Sequence, residues 1–210
     1  MKESNGEGIK EKKLVKNLKD LFEDRKPRSL KKVFVHVNLG TKKFQEIWKE
    51  WWQSEVPPRL EVDMIPVFED LNELLIPGIE VKFFKGVSRR FCEGLQQALS
   101  FGLFGFDSLV LWHIFSEDIA NKEIEGFARP TKKLIEGFNL PVIYFATKLI
   151  EKDKFEFFAP LEIYSSQPQD VGYLLTWLKN SCHGKRNPLL EREEVLRSKK
   201  LLKLKLEIPI

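Results

Sequence analysis

Leu60-Glu-Val-Asp-Met-Ile65 and Gly78-Ile-Glu-Val-Lys-Phe-Phe84 are two apolar runs, each interrupted by charge: Asp63 in the first, Glu80 and Lys82 in the second. Their β-branched and aromatic content predicts strands, at about 59–68 and 78–85, joined by an acidic connection that closes with Pro77-Gly78. A strand sends residues i and i+2 to the same face, so Glu80 and Lys82 project together, and a partner strand can bring Asp63 beside them. Charges inside an apolar strand are costly unless paired or metal-bound. Two carboxylates and one ammonium on a strand pair suit metal-assisted attack on a phosphodiester; a cross-strand salt bridge is the plainer alternative.

An acidic residue two places before a lysine occurs three times, at Glu11/Lys13, Asp24/Lys26 and Glu80/Lys82. The first two lie in polar segments, and only the third lies in an apolar strand. Around it the chain alternates. Lys32–Leu39 is predicted as a strand, and Thr41 opens a helix with Phe44, Trp48, Trp51 and Glu55 along one face. Ser88–Leu103 reads as a helix, Phe106–Phe115 as a buried strand, and a helix runs on to about Phe138. Leu140–Leu149 and Phe155–Tyr164 read as strands, and Asp170–Asn180 as a short helix. After Pro188 a charged helix is expected, then an edge strand over Leu202–Ile208, where leucine alternates with charge. Residues 1–9 look disordered, and 10–24 carry Leu14, Leu18, Leu21 and Phe22 at helical spacing. The pattern predicts an α/β fold with a mixed central sheet flanked by helices. The expected organisation is a basic helical extension (1–31), an α/β domain (32–182), and a basic helix with edge strand (183–210).

With 210 residues, 42% hydrophobic and 31% charged, the chain can bury a sizeable core. The net charge of +4 is unevenly spread: residues 1–32 and 185–205 each carry +5, and the stretch between them −5. An acidic middle between basic flanks suits a cation-binding centre beside surfaces that attract a polyanion, or simply solvated helix faces. Apolar stretches fall far short of a membrane span, no apolar leader is visible, and Cys92 and Cys182 read as reduced thiols. A cytoplasmic setting is therefore expected. His36, His113 and His183 are scattered, and His113 reads as a hydrogen-bonded core histidine. Neither a phosphate-cradling glycine loop nor a Gly-x-Ser-x-Gly turn is present. Lys85, Arg89 and Arg90 follow the charged strand closely and could grip phosphates, or form an exposed first helical turn.

Asp63 in one strand, Glu80-Val-Lys82 in the next, a helix with Gln97 four places before Phe101, and the apolar strand Asp107–Trp112 form an ordered series. This series resembles the PD-(D/E)XK nuclease superfamily, whose domains have the restriction-endonuclease-like fold. The likeness runs from about Arg59 to Phe115, roughly a quarter of the chain. It implies a metal-dependent nuclease acting on nucleic acid, DNA above all. Asp63 and Glu80 would hold Mg²⁺ or Mn²⁺, Lys82 would position or activate the attacking water, and Gln97 would support the site. Val62 stands where the family's proline would be, and Phe101 replaces its usual tyrosine. Many members add a glutamate from an earlier helix, and Glu23, Glu46, Glu50 and Glu55 compete for that place. A homodimer would suit cutting both strands of a duplex. The alternative is a member of the same fold that no longer cuts and serves as a nucleic-acid-binding or protein-assembly module. A protein-interaction domain with no nucleic-acid role is a third reading.

Overall fold

The computed structural model describes residues 4–52, 60–70, 73–86, 91–159 and 167–209. Its centre is a mixed sheet of eight strands among the described residues: β1 (Leu30–Asn38), β2 (Glu61–Asp70), β3 (Glu73–Leu75), β4 (Pro77–Phe84), β5 (Ser108–Phe115), β6 (Val142–Glu151), β7 (Lys154–Ala159) and β8 (Gln169–Asp170). They lie in the order β1-β2-β4-β5-β6-β7-β8, with β3 hairpinned onto β2. β4, β5 and β6 run parallel, and the flanking pairs are antiparallel. Every residue of β5 is buried, as a central parallel strand covered on both faces requires. Its tryptophan finds a partner there: Trp112 Nε1–H donates to Thr147 Oγ at 2.8 Å. The expected α/β architecture, a mixed sheet flanked by helices, is the one present.

Two apolar layers sandwich the sheet. On one face α1 (Ser4–Asp24) and α5 (Val171–Gly184) bury Val15, Leu18, Phe22, Leu174 and Leu178 against Met64, Ile79, Val81 and Trp112. The opposite face is covered by α2 (Lys42–Trp52), α3 (Leu95–Ser100), α4 (Asn121–Gly137) and α6 (Glu193–Lys205), through residues such as Phe44, Ala98, Phe127 and Leu202. α1 begins at Ser4, although residues 1–9 read as disordered. It is also more than an appendage, because Phe22 stacks on Trp112 at the centre of the sheet, 6.3 Å between ring centroids. In α2, Phe44 is buried against Phe104, whereas the side chains of Trp48 and Trp51 and all of Glu55 lie outside the described residues.

Two expectations need correction. The helix predicted over 88–103 is α3 from Leu95, continued by a 3-10 turn at Phe101–Phe104, with residues 87–90 outside the described set. Gly94, at φ 83°, sets its start, because a left-handed residue ends the helical path. The terminal edge strand is not a strand: α6 continues to Lys205 and ends in a turn. Leu202 and Leu206 are buried and Leu204 is 48% exposed, so a four-residue spacing decides which leucines face the core. Glu207 closes the helix at φ 53°, with Ile208 N–H bonded to Lys203 O and Glu207 N–H to Leu204 O. Leu202→Ala is therefore expected to cost about 2–5 kcal/mol and Leu204→Ala under about 0.5 kcal/mol in urea unfolding. A strand would place both leucines on one face and equalise the two costs.

Candidate functional site

β2 and β4 meet in register at a single pair, Met64 with Ile79. Beyond it, amide groups of β4 are taken by carboxylates. Val81 N–H donates to Asp63 Oδ2 at 2.9 Å, and Phe83 N–H donates to Glu11 Oε2 at 3.2 Å. A wedge thus opens between the two strands, edged by acids because unpaired buried amides need acceptors. β4 aims Glu80 and Lys82 from alternate positions into the same region. Lys82 Nζ lies 2.6 Å from Glu80 Oε1 and 3.4 Å from Glu11 Oε1. Glu80 is 1% exposed, and its Oε2 has no hydrogen-bond partner among the described residues.

Three carboxylates around one ammonium make an unbalanced group. Burial, and then the charge of Asp63, push the Glu80 carboxyl up to about 8. Asp63 and Glu11 are raised as well, in each case chiefly by burial. Burial alone would lower Lys82, but Glu80, Glu11 and Asp63 together outweigh it and hold the ammonium charged. Asp63 belongs to a second grouping too. His36 faces it across the β1–β2 pair, and one ligand atom each from His36, Glu61 and Asp63 lie within 4.8 Å of one another. Glu61 is also engaged by Lys12 Nζ at 3.0 Å.

Asp63, Glu80 and Lys82, singled out in the sequence, are brought together. Gln97 is not: it sits on the exposed side of α3, lining a groove with Gln96 and Gly94. Phe101, four residues on, is fully buried against Phe106, a setting with no place for a tyrosine hydroxyl in contact with water. Lys85 is exposed, and Arg89 and Arg90 lie outside the described residues. The helix glutamate of the wedge is Glu11, not one of the four expected. Glu23, Glu46 and Glu50 are exposed, Glu23 beside Lys19 at 3.8 Å, and Glu55 lies outside the described residues. The signal for Glu11 is its phase: it precedes Val15 by four and Leu18 by seven, which puts an acid on the buried stripe of α1.

His113, also buried, is the hydrogen-bonded core histidine expected. A carbonyl can only accept, so Nε2 carries the proton toward Glu93 O at 2.9 Å, and Nδ1 accepts from the Tyr144 hydroxyl at 3.0 Å. Burial lowers its pKa to about 4. A lowered folded value means the unfolded chain binds the extra proton. This contribution to stability is therefore present above about 6.5 and is lost as pH falls toward 4. Between those limits the wild type is expected to lose on the order of 3 kcal/mol relative to His113→Gln, read by urea unfolding at stepped pH.

The two cysteines are free, and Cys182 is buried, its thiol pushed up to about 12 mainly by burial. Among the described residues, no helix is long and apolar enough to cross a membrane. Comparison of the chain with protein-family models, with curated proteins and with solved structures finds no match to any of them.

Proposed function

We propose that the chain is a metal-dependent nuclease that hydrolyses phosphodiester bonds of nucleic acid, with DNA as its substrate and a restriction-endonuclease-like core as its scaffold. The observation that carries this reading is Glu80, a carboxylate 1% exposed with an oxygen left without a hydrogen-bond partner, held beside Asp63 and Lys82 in the wedge. A structural ion pair does not need two further acids crowding it. The donor set fits a hard divalent cation, Mg²⁺ or Mn²⁺, with Asp63 and Glu80 as its protein ligands and water completing the shell. Such a cation would polarise a phosphoryl oxygen and lower the pKa of a bound water.

The chain's own residues supply the rest. Asp63 is oriented by the Val81 amide, so its second oxygen is left for a ligand. Lys82, charged throughout the neutral range, can hold the attacking water or face the charge that develops on phosphorus-bound oxygen. Glu11 adds a second carboxylate to the Lys82 ammonium and ties α1 to the site. Cleavage of supercoiled, linear and single-stranded DNA, with an RNA control, is expected in Mg²⁺ or Mn²⁺ and absent in EDTA. Asp63→Asn should bind DNA and not cut it.

A second reading rests on the Lys82 contacts to Glu80 and Glu11, which already form a closed ion cluster. A protein of this fold that binds nucleic acid or a protein partner without cutting would retain those contacts. It predicts salt-dependent DNA binding with no metal-dependent turnover by the wild type.

A further inference from the structure

The turn at residues 91–94 lies over the wedge, and two buried side chains hold it by its carbonyls. His113 Nε2–H donates to Glu93 O at 2.9 Å, and Thr131 Oγ–H donates to Phe91 O. His113 is itself fixed from behind by the Tyr144 hydroxyl on its Nδ1. Phe84 and Phe127 pack against the imidazole at 5.1 Å and 5.6 Å between ring centroids, so it has little room to turn. The turn delivers Gly94, at φ 83°, onto the site. A Cβ built there would stand 2.9 Å from Leu111 Cδ1 and 3.1 Å from the Cγ atoms of both Glu80 and Lys82. Distances that short are ones which real side chains avoid, so only glycine permits this approach, for reasons of both space and φ.

We infer that Tyr144, His113 and Gly94 form a latch that positions Glu80 and Lys82, making them positioning residues for the activity proposed above, on which the catalytic part of this inference rests. The latch works through the pairing of both ring nitrogens. The Glu93 carbonyl keeps the ring proton on Nε2, and the Tyr144 O–H satisfies the Nδ1 lone pair. Without that hydroxyl Nδ1 is a buried acceptor left unpaired, the seat of the imidazole is weakened, and its hold on the Glu93 carbonyl slackens. The stems of Glu80 and Lys82 lose the surface that sets their rotamers. Tyr144 touches neither residue, so an effect of its hydroxyl on them passes through the turn, by way of His113 and of Thr131, which the hydroxyl also meets.

The test compares full-length wild type, Tyr144→Phe and Gly94→Ala. One readout is the ¹⁵N-resolved NMR signal of the Lys82 ammonium, assigned by its loss in Lys82→Arg. The other is cleavage in Mg²⁺, separated into kcat and KM. Tyr144→Phe keeps the ring and serves if Gly94→Ala does not fold. The expected result is a displaced Lys82 signal in Tyr144→Phe with kcat down about tenfold to a hundredfold and KM within twofold, in the range of supporting residues around a reactive group. An unmoved Lys82 signal overturns the latch, whatever the activity. A displaced signal in a protein whose wild type cuts no substrate upholds the latch and overturns the nuclease reading instead. A displaced signal with kcat unchanged overturns the catalytic part of the inference.

Discussion

Removing both cations from Asp107, as Arg186→Met with Lys199→Met, is expected to cost about 3–5 kcal/mol, more than Asp107→Ala. Asp107 is fully buried at the start of β5. Its Oδ2 accepts the Ile76 amide at 2.9 Å, and its Oδ1 receives Arg186 Nη2 at 2.9 Å and Lys199 Nζ at 2.6 Å. Through this one carboxylate the loop before β4 and the segment carrying α6 are tied to the sheet. Breaking a buried pair is costly because of the ion left behind. Here the carboxylate is 0% exposed and its two cations are 42% and 20% exposed. Losing both cations strands a buried charge, whereas losing the acid leaves cations that water can reach and one orphaned neutral donor, the Ile76 amide, which costs less than a buried ion. Each single cation variant should cost under half as much as the double, because the remaining partner still neutralises Oδ1. Denaturant unfolding of all four variants reads this non-additivity directly. Additive single effects would show that the cations contribute packing rather than charge.

The packing around Asp107 also shows where the sequence stopped being legible. Gly105, at φ 82°, lets the backbone of Lys199 approach so closely that an added Cβ would stand 2.4 Å from its nitrogen. Nothing in the local pattern of either segment announces a contact between residues 94 positions apart. β4, β5 and β6 were legible because a strand buried on both faces must be apolar throughout, and that property is local. Asp63, Glu80 and Lys82 were legible for the converse reason, as charges in runs that have no other use for them. Glu11 was not, because its neighbours Lys10, Lys12 and Lys13 make the stretch look solvated. Only its phase against Val15 and Leu18 places it on the buried face. Leu202–Ile208 misled because alternating leucines also contain the four-residue spacing of a helix, and tertiary packing of Leu202 and Leu206 selects it.

Glu80→Gln is expected to abolish cleavage, by at least about 10²–10³-fold, without loss of stability. Glutamine matches the size of the side chain and removes the charge that burial and Asp63 already oppose. Lys82 keeps Glu11 at 3.4 Å and the field of Asp63, so it is not left unpaired. The sign with pH follows from the raised value. A folded pKa of about 8 against 4.5 means the folded chain holds the extra proton. That contribution to stability is complete below about 4.5 and is lost as pH rises through 8. The variant should therefore match the wild type at pH 4.5 and below and exceed it increasingly from there to pH 9, in thermal or denaturant unfolding without divalent cation. Millimolar Mg²⁺ or Mn²⁺ should reverse the order at pH 9, because a ligand of the folded state stabilises by mass action and the variant lacks one of the two carboxylates that would hold it. A residue kept for structure behaves otherwise: its loss would lower stability and activity together, with no response to metal. Activity lost while stability rises is the behaviour of a side chain whose place in the wedge disfavours the folded state and serves only what binds there.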